Sequence, residues 1–266
     1  MKKVFFVLVI VLLCANFVGF GQTNPSPQNL PYTMNFSSLQ HSSTVYPDGW
    51  HGWTISTSPG SSFNTAAPTA DRTLTAISTA ATNSGNVHNY DGKIGFLNNT
   101  SLDLSIVLAI NTTGKQNVEV TYDIMTIRNP YDGSSNTRIN EVTLQYRIGT
   151  SGTFTNLTGI EYQNNTTTQT GSVTTPQNAQ TKTITLPASC NNQSVVQLRW
   201  ASRQVSGSGS RPSFAVDNVS ITGVDISASP TITVSPTSLS GFTYIVGLGP
   251  SSEQSFTISG TDLTEN

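Results

Sequence analysis

Charge is scarce in this chain of 266 residues: only 10% are Asp, Glu, Lys or Arg, where an ordinary soluble domain has roughly a quarter. Twelve Lys+Arg stand against 14 Asp+Glu, a formal net charge of −2. No basic surplus exists to neutralise a phosphate backbone, so nucleic acid is disfavoured as a partner. Hydrophobic residues are also few, at 35%. The shortfall argues against helical bundles and coiled coils, which draw on Ala, Glu, Lys and Leu. Cysteine is nearly missing, with Cys14 and Cys190 alone. Histidine is limited to His41, His51 and His88, at spacings that match no metal-ligand pattern. No G-x-S-x-G nucleophile elbow occurs. Little material is left for an active site, and the chain reads as a non-enzyme.

In place of these, Ser, Thr and Asn make up about a third of the chain. Thr favours strands, whereas Asn, Ser and Gly favour turns, so the expectation is an all-β protein with many loops. Lys2 and Lys3 precede an apolar run from Val4 to Val18, and Gly19-Phe20-Gly21 follows. That order is the charged, apolar and small-residue signature of a secretory signal peptide, 1–21, cleaved between Gly21 and Gln22. The run is shorter than the roughly 20 residues a membrane span needs. Leu13 before Cys14 does not fit a lipobox. The mature chain would carry one thiol, Cys190, in a loop of Ala188, Ser189, Asn191 and Asn192, and no intrachain disulfide.

The mature chain divides into an extended leader (22–31), a jelly-roll β-sandwich (32–223), a linker (224–230) and an incomplete Ig-like segment (231–266). The clearest strands are 117–127 and 139–148. In the first, Val118, Val120, Tyr122 and Ile124 alternate with Glu119, Thr121 and Asp123. In the second, Val142, Leu144, Tyr146 and Ile148 alternate with Glu141, Thr143, Gln145 and Arg147. Such period-2 patterns bury one face and wet the other. The two strands are expected to be neighbours joined by the turn-rich loop 128–136. Further strands are expected at 104–110, 182–186, 195–202, with Trp200 pointing inward, and 214–222; weaker signals fall at 33–36, 53–56, 74–78 and 93–97. About ten strands in this span suit a two-sheet antiparallel jelly roll rather than an immunoglobulin domain. The polar stretch 164–175 is a hairpin or a loop. Three short strands in 231–266 cannot close a sandwich, which implies a truncated domain of a longer protein.

Leu30-Pro31-Tyr32-Thr33-Met34-Asn35-Phe36, Tyr46-Pro47-Asp48-Gly49-Trp50 and Arg211-Pro212-Ser213-Phe214-Ala215-Val216-Asp217-Asn218-Val219-Ser220-Ile221 together resemble the opening and closing strands of MAM-like, "choice-of-anchor" jelly-roll domains. Pro230 to Pro236, with Leu239, Phe242 and the 249–256 stretch, resembles the start of an immunoglobulin-like repeat. The resemblance implies a secreted or surface-displayed modular protein of a Gram-negative bacterium of the Bacteroidota, with further domains in the same polypeptide. It also implies a structural Ca²⁺ held with the help of Asp217 and Asn218.

In the strand 214–222, Phe214 and Val216 share one parity, and Val219 and Ile221 the other. A register slip at Asp217-Asn218, as in a β-bulge, accounts for the change. Asp217 and Asn218 either ligate Ca²⁺, which takes several oxygens, or bond backbone groups around the bulge. The loop acids and amides Asp132, Asn136, Asn140 and Glu141 fit a solvated loop better than an EF-hand. Among the aromatics around the turn 47–49, Trp50 suits core packing. Trp53, and Tyr131 in the long loop, are the candidates to stack on sugar rings. The leading expectation is a secreted, non-catalytic β-sandwich module for adhesion or substrate targeting. Its rivals are a carbohydrate-binding module for polysaccharides or cell-surface glycans, and an accessory domain of a secreted hydrolase.

Overall fold

A computed structural model describes residues 22–167, 177–227 and 230–263. The expected signal peptide, including Gly21, and most of the polar stretch 164–175 lie outside the described residues. Contacts divide the chain into one unit ending at Val224 and a second beginning at Asp225.

The first unit is an antiparallel β-sandwich. Its strands are β1 (Gln28–Asn29), β2 (Tyr32–Met34), β3 (Trp50–Ser56), β4 (Ala70–Arg72), β5 (Leu74–Thr75), β6 (Asn86–Asn89), β7 (Ile94–Leu97), β8 (Asp103–Asn111), β9 (Lys115–Thr126), β10 (Ile139–Ile148), β11 (Thr155–Asn156), β12 (Tyr162–Gln163), β13 (Gln177–Thr185), β14 (Val196–Ser206) and β15 (Phe214–Asp225). One sheet runs β11-β10-β14-β8-β3-β4, with β1 beside β8 and β12 beside β10. The other runs β13-β9-β15-β7-β6-β5, with β2 beside β15. Among the described residues only the short pairs β1·β8 and β5·β6 are parallel.

Alternation builds the core between the sheets. Leu104, Ile106, Leu108 and Ile110 of β8 face Val118, Val120, Tyr122 and Ile124 of β9 in one apolar cluster. At its centre Trp200 stacks on Trp50, with ring centroids 5.4 Å apart, and takes the edge of Tyr122 at 5.3 Å. Such ring pairs add about 0.5–1.5 kcal/mol beyond their burial. Both tryptophans are in the core, as expected, Trp200 from the phase of its strand.

The two clearest strands are not neighbours. β9 pairs with β13 in one sheet, while β10 pairs with β14 in the other. The loop between them is therefore a crossover between sheets. Turn composition marks where a chain leaves a strand, and does not say which sheet it enters next.

In β15 the register slips where the parity changes. Asn218 adopts φ 48°, a left-handed conformation that Asn tolerates better than most residues. The extra residue returns Val219 and Ile221 to the face already occupied by Phe214 and Val216, so all four reach one core. It also divides the partners of β15: β7 takes 214–216 and β2 takes 219–221.

The second unit has two short antiparallel ladders. β16 (Thr231–Ser235) pairs with β19 (Thr257–Thr261), and β17 (Tyr244–Ile245) pairs with β18 (Gly249–Pro250). Ile232, Phe242, Tyr244 and Ile258 are exposed.

Candidate functional site

Alternation sends Glu141, Thr143, Gln145 and Arg147 of β10, and Gln197 and Arg199 of β14, to the outer face of the β3-containing sheet. A wet face was expected there, yet all six side chains are buried. Three segments without strand periodicity cover them: the leader at 22–24, the loop 57–69 and the turn leading to Phe154. Arg199 donates from Nε to Gln145 Oε1 at 2.7 Å, and from its two Nη atoms to the carbonyls of Ala66 and Asn64, both at 2.9 Å. Its guanidinium lies 3.8 Å from the Phe154 ring centre. Arg147 donates to Gln197 Oε1 at 2.7 Å and to the Gly152 carbonyl at 3.0 Å. Gln197 in turn donates to Asn24 Oδ1 at 2.9 Å. Burial pushes Arg199 down to about 9 and Arg147 to about 10. At neutral pH both remain cationic, so the layer is held by charge-assisted hydrogen bonds.

Trp53 belongs to this covered layer, and its candidacy as a sugar platform is corrected here. It is 0% exposed. Its indole Nε1 donates to the Thr23 carbonyl at 3.1 Å, and its ring meets Phe154 edge-on at 6.3 Å. A ring with no free face cannot stack on a ligand. Tyr131, by contrast, is half-exposed on the β9–β10 crossover.

Among the connections that cross between the sheets at one end of the sandwich are β7–β8, β9–β10 and β14–β15. They enclose a pocket of about 310 Å³, whose lining includes Asn98, Asn99, Arg128, Arg138, Ser210 and Arg211. Asn98 is fixed by its own bonds: its Oδ1 accepts from the Leu104 amide at 2.8 Å, and its Nδ2 donates to Ser202 Oγ at 2.9 Å. The stretch Ser206-Gly207-Ser208-Gly209-Ser210 looks flexible in sequence, but the opposite crossover pins it. Thr137 donates its amide to the Ser208 carbonyl at 3.0 Å, and Ser210 donates to Asn136 Oδ1 at 2.8 Å. Gly207, at φ 72°, leaves no room for a side chain against the Thr137 carbonyl. Asp132 organises the other side of this junction, since its carboxylate accepts the amides of Ser134 and Asn136, both at 2.8 Å. These bonds hold its carboxyl down at about 2. The pocket was missed in the sequence because its arginines are spread over 84 positions, from 128 to 211.

Asp217 and Asn218 sit at the bulge. Asp217 Oδ1 accepts the Asn218 amide at 2.7 Å, and Asn218 Nδ2 donates to Asp123 Oδ2 at 2.8 Å. Thr181 donates to the other Asp123 oxygen at 2.6 Å. Burial raises the Asp217 carboxyl above its ordinary range. Two carboxylates and one amide thus converge. Among the described residues no group of three or more His, Cys, Asp or Glu is placed to hold a metal ion.

Two of the histidines meet at Ser78: His41 Nε2 lies 3.1 Å from its carbonyl and His88 Nδ1 2.8 Å from its hydroxyl. His51 Nε2 lies 3.2 Å from Asp71 Oδ1, but the Thr23 hydroxyl donates to Asp71 at 2.6 Å rather than to the imidazole, so no nucleophile–base–acid relay forms there. Cys190 is buried in the 3₁₀ turn Ala188–Cys190, where burial pushes its thiol up to about 11 and makes it unreactive at neutral pH.

Two buried groups set opposing pH dependences. Burial pushes His88 down to about 4 from 6.5, so stability is complete above pH 6.5 and is lost as pH falls through 4. Burial pushes Asp103 up to about 6 from 3.8, so its strain is absent below 3.8 and grows as pH rises through 6. Each is worth roughly 3 kcal/mol, and over pH 4–6 they offset each other. Asp103→Asn removes one of them. Its unfolding free energy should then fall by about 2–3 kcal/mol between pH 6.5 and 4, measured by urea titration, while the wild type changes little. A flat profile in the variant would contradict the buried neutral His88.

The chain is therefore an all-β sandwich of the jelly-roll kind, with one outer face closed by its own loops and a polar pocket at the crossover end. No family model matches the chain, and no curated protein does. Solved structures similar to it are adhesin and carbohydrate-binding modules. The K1 cleaved adhesin domain of Lys-gingipain from Porphyromonas gingivalis W83 has 15% identity and a TM-score of 0.38, over 73% of this chain and 98% of that one. CBM27-1 of Caldicellulosiruptor saccharolyticus, solved in complex with mannohexaose, has 14% identity and a TM-score of 0.37, over 74% and 98%. The xylan-binding module CBM15 has 12% identity and a TM-score of 0.36, over 73% and 98%. No helix among the described residues is long and apolar enough to cross a membrane.

Proposed function

We propose that the sandwich is a non-catalytic binding module for polysaccharide or cell-surface glycan, acting in adhesion or targeting as part of a larger secreted or surface protein of the MAM-like, "choice-of-anchor" type. The observation that carries this reading is the crossover-end pocket. It is lined by amides, hydroxyls and guanidiniums, groups that hydrogen-bond sugar hydroxyls, and its walls are held rigid by the bonds between 132–138 and 207–211. Rigid, pre-formed polar walls lower the cost of ordering a ligand. Tyr131, on the same crossover as Arg128 and Arg138, is half-exposed but is not part of the pocket lining. The protein should bind at least one polysaccharide on a glycan array or in affinity electrophoresis, and Asn99→Ala should weaken that binding by about three- to tenfold. Absence of binding to every polysaccharide would overturn the reading.

Ca²⁺ at the bulge is a separate proposal, supported by the convergence of Asp123, Asp217 and Asn218. Two carboxylates and an amide fall short of the six to eight oxygens Ca²⁺ takes, so water would complete its shell. Millimolar Ca²⁺ should raise the melting temperature by a few degrees in the wild type, and not in Asp217→Asn. A melt unchanged by Ca²⁺ and by chelator would remove the proposal.

A further inference from the structure

Three of the chain's seven arginines line the crossover-end pocket, in a protein where charge of either sign is rare. The other four are committed elsewhere. Arg203 pairs with Glu141 at 2.6 Å, Arg72 donates to Thr54 Oγ1 at 2.6 Å, and Arg147 and Arg199 hold the covered face.

The pocket arginines have no carboxylate in an ion pair with them among the described residues. Arg138 donates from Nε to the Gly209 carbonyl at 2.9 Å and from Nη1 to Gln204 Oε1. Arg128 Nη1 donates to the Arg211 carbonyl. These bonds fix the guanidiniums in place and leave donors on each. Arg211 goes further, since its Nη1 is buried and has no partner. A buried, unpaired guanidinium nitrogen is costly, and the like charge of Arg138 lowers the pKa of Arg211 further, after desolvation.

The Asp103 carboxylate offsets part of the Arg211 charge, the smallest of the three influences on it, but among the described residues no acid forms an ion pair with it. Asp103 is buried and already accepts from Asn98 Nδ2 at 3.3 Å and from Ser56 Oγ at 3.3 Å. Asp132 is occupied by the amides of its own loop. An anion in the pocket would relieve the repulsion between the arginines that line it. Guanidinium forks suit planar carboxylate and tetrahedral sulfate alike. The remaining lining of Asn98, Asn99, Thr100 and Ser210 offers neutral hydrogen bonds, and about 310 Å³ admits a single sugar residue rather than an extended polyanion. The chain's net charge of −2 supplies no long-range field for nucleic acid.

We propose that the pocket framed by Arg128, Arg138 and Arg211 binds one anionic residue of an acidic polysaccharide, through its carboxylate or sulfate group. This rests on the reading of the protein as a glycan-binding module and names its ligand class.

The full chain is tested by affinity electrophoresis and calorimetry against polygalacturonate (carboxylate), dextran sulfate (sulfate), neutral xylan and mannan, and polyglutamate. The variants are Arg138→Gln, Arg211→Gln and the double substitution, each checked by thermal melting, with Arg211→Lys as a charge-preserving control. Wild-type protein should bind polygalacturonate or dextran sulfate more tightly than the neutral glycans, and whichever it binds identifies the anionic group. Each single Gln variant should lose at least roughly tenfold in affinity, and the double variant more, while Arg211→Lys retains part of the binding. Undiminished binding of acidic glycans by a folded double variant would overturn the proposal. So would polyglutamate bound as tightly as the acidic glycans with the same arginine dependence. Neutral glycans bound equally by wild type and variants, with no acidic preference, would overturn it too while leaving the module reading intact. Failure to bind any glycan would remove both.

Discussion

Replacing Arg199 with alanine is expected to lower the unfolding free energy by about 2–4 kcal/mol, read from urea denaturation at pH 7. The side chain is 0% exposed, and its donors satisfy Gln145 Oε1 and the carbonyls of Asn64 and Ala66. Truncation leaves Gln145 Oε1 buried without its donor, strips the Ala66 carbonyl of its guanidinium partner and the Asn64 carbonyl of one of its two donors, and opens a void beside Phe154. Unpaired buried polar groups cost about 1–3 kcal/mol each when water cannot reach them. The loop 57–69 loses two of its anchors, keeping those from Gln204 to Gly60, Phe154 to Thr65 and Gln145 to Asn64, so protease cleavage within it should accelerate in the same variant. A loss below about 1 kcal/mol, with the loop still protected, would show that other contacts hold the cover.

Trp53→Ala separates a structural tryptophan from a ligand platform. Loss of a fully buried indole costs about 3–5 kcal/mol, and here it also frees the Thr23 carbonyl and the aromatic flank of Phe154. Affinity for any glycan bound by the wild type should stay within about twofold, because the ring is on the covered face and the pocket lies at the crossover end. A folded Trp53→Ala protein of normal stability that has lost its binding would restore the sugar-platform reading.

Much of the strand layout was legible. The alternation in 139–148 marks β10 at its observed bounds, and that in 117–127 marks β9 within two residues. The parity change at Asp217-Asn218 locates the bulge, because a strand with a period of two can change its inward parity only by inserting a residue. Trp200 carries the inward phase of its strand. Of the short strands, β2 and β5 fall on the weaker signals at 33–36 and 74–78, but others were not legible. β4, β11 and β12 have two or three residues each, too few to show a period.

The candidate site was legible only in fragments. Arg128, Arg138 and Arg211 are separate residues in three loops, and no local spacing relates them. They meet because β9–β10 and β14–β15 both cross between sheets at the same end, which depends on pairings the sequence pattern does not specify. Trp53 was misplaced for a related reason: its phase gives the outer face, and nothing local shows that the outer face is covered.

By itself, then, the sequence determined the class of structure and the face on which each strand residue lies. Its Thr-, Ser- and Asn-rich composition excludes helical architecture, and alternation assigns every side chain to one side of its sheet. Only the tertiary structure decided which of those sides meets water. The outer polar row of β10 and β14 is dry because Arg199 reaches Ala66 across 133 positions and Gln197 reaches Asn24 across 173. A covering segment needs no periodicity of its own, since it binds through backbone carbonyls that any residue carries. For that reason buried and exposed polar rows look alike until the chain has folded.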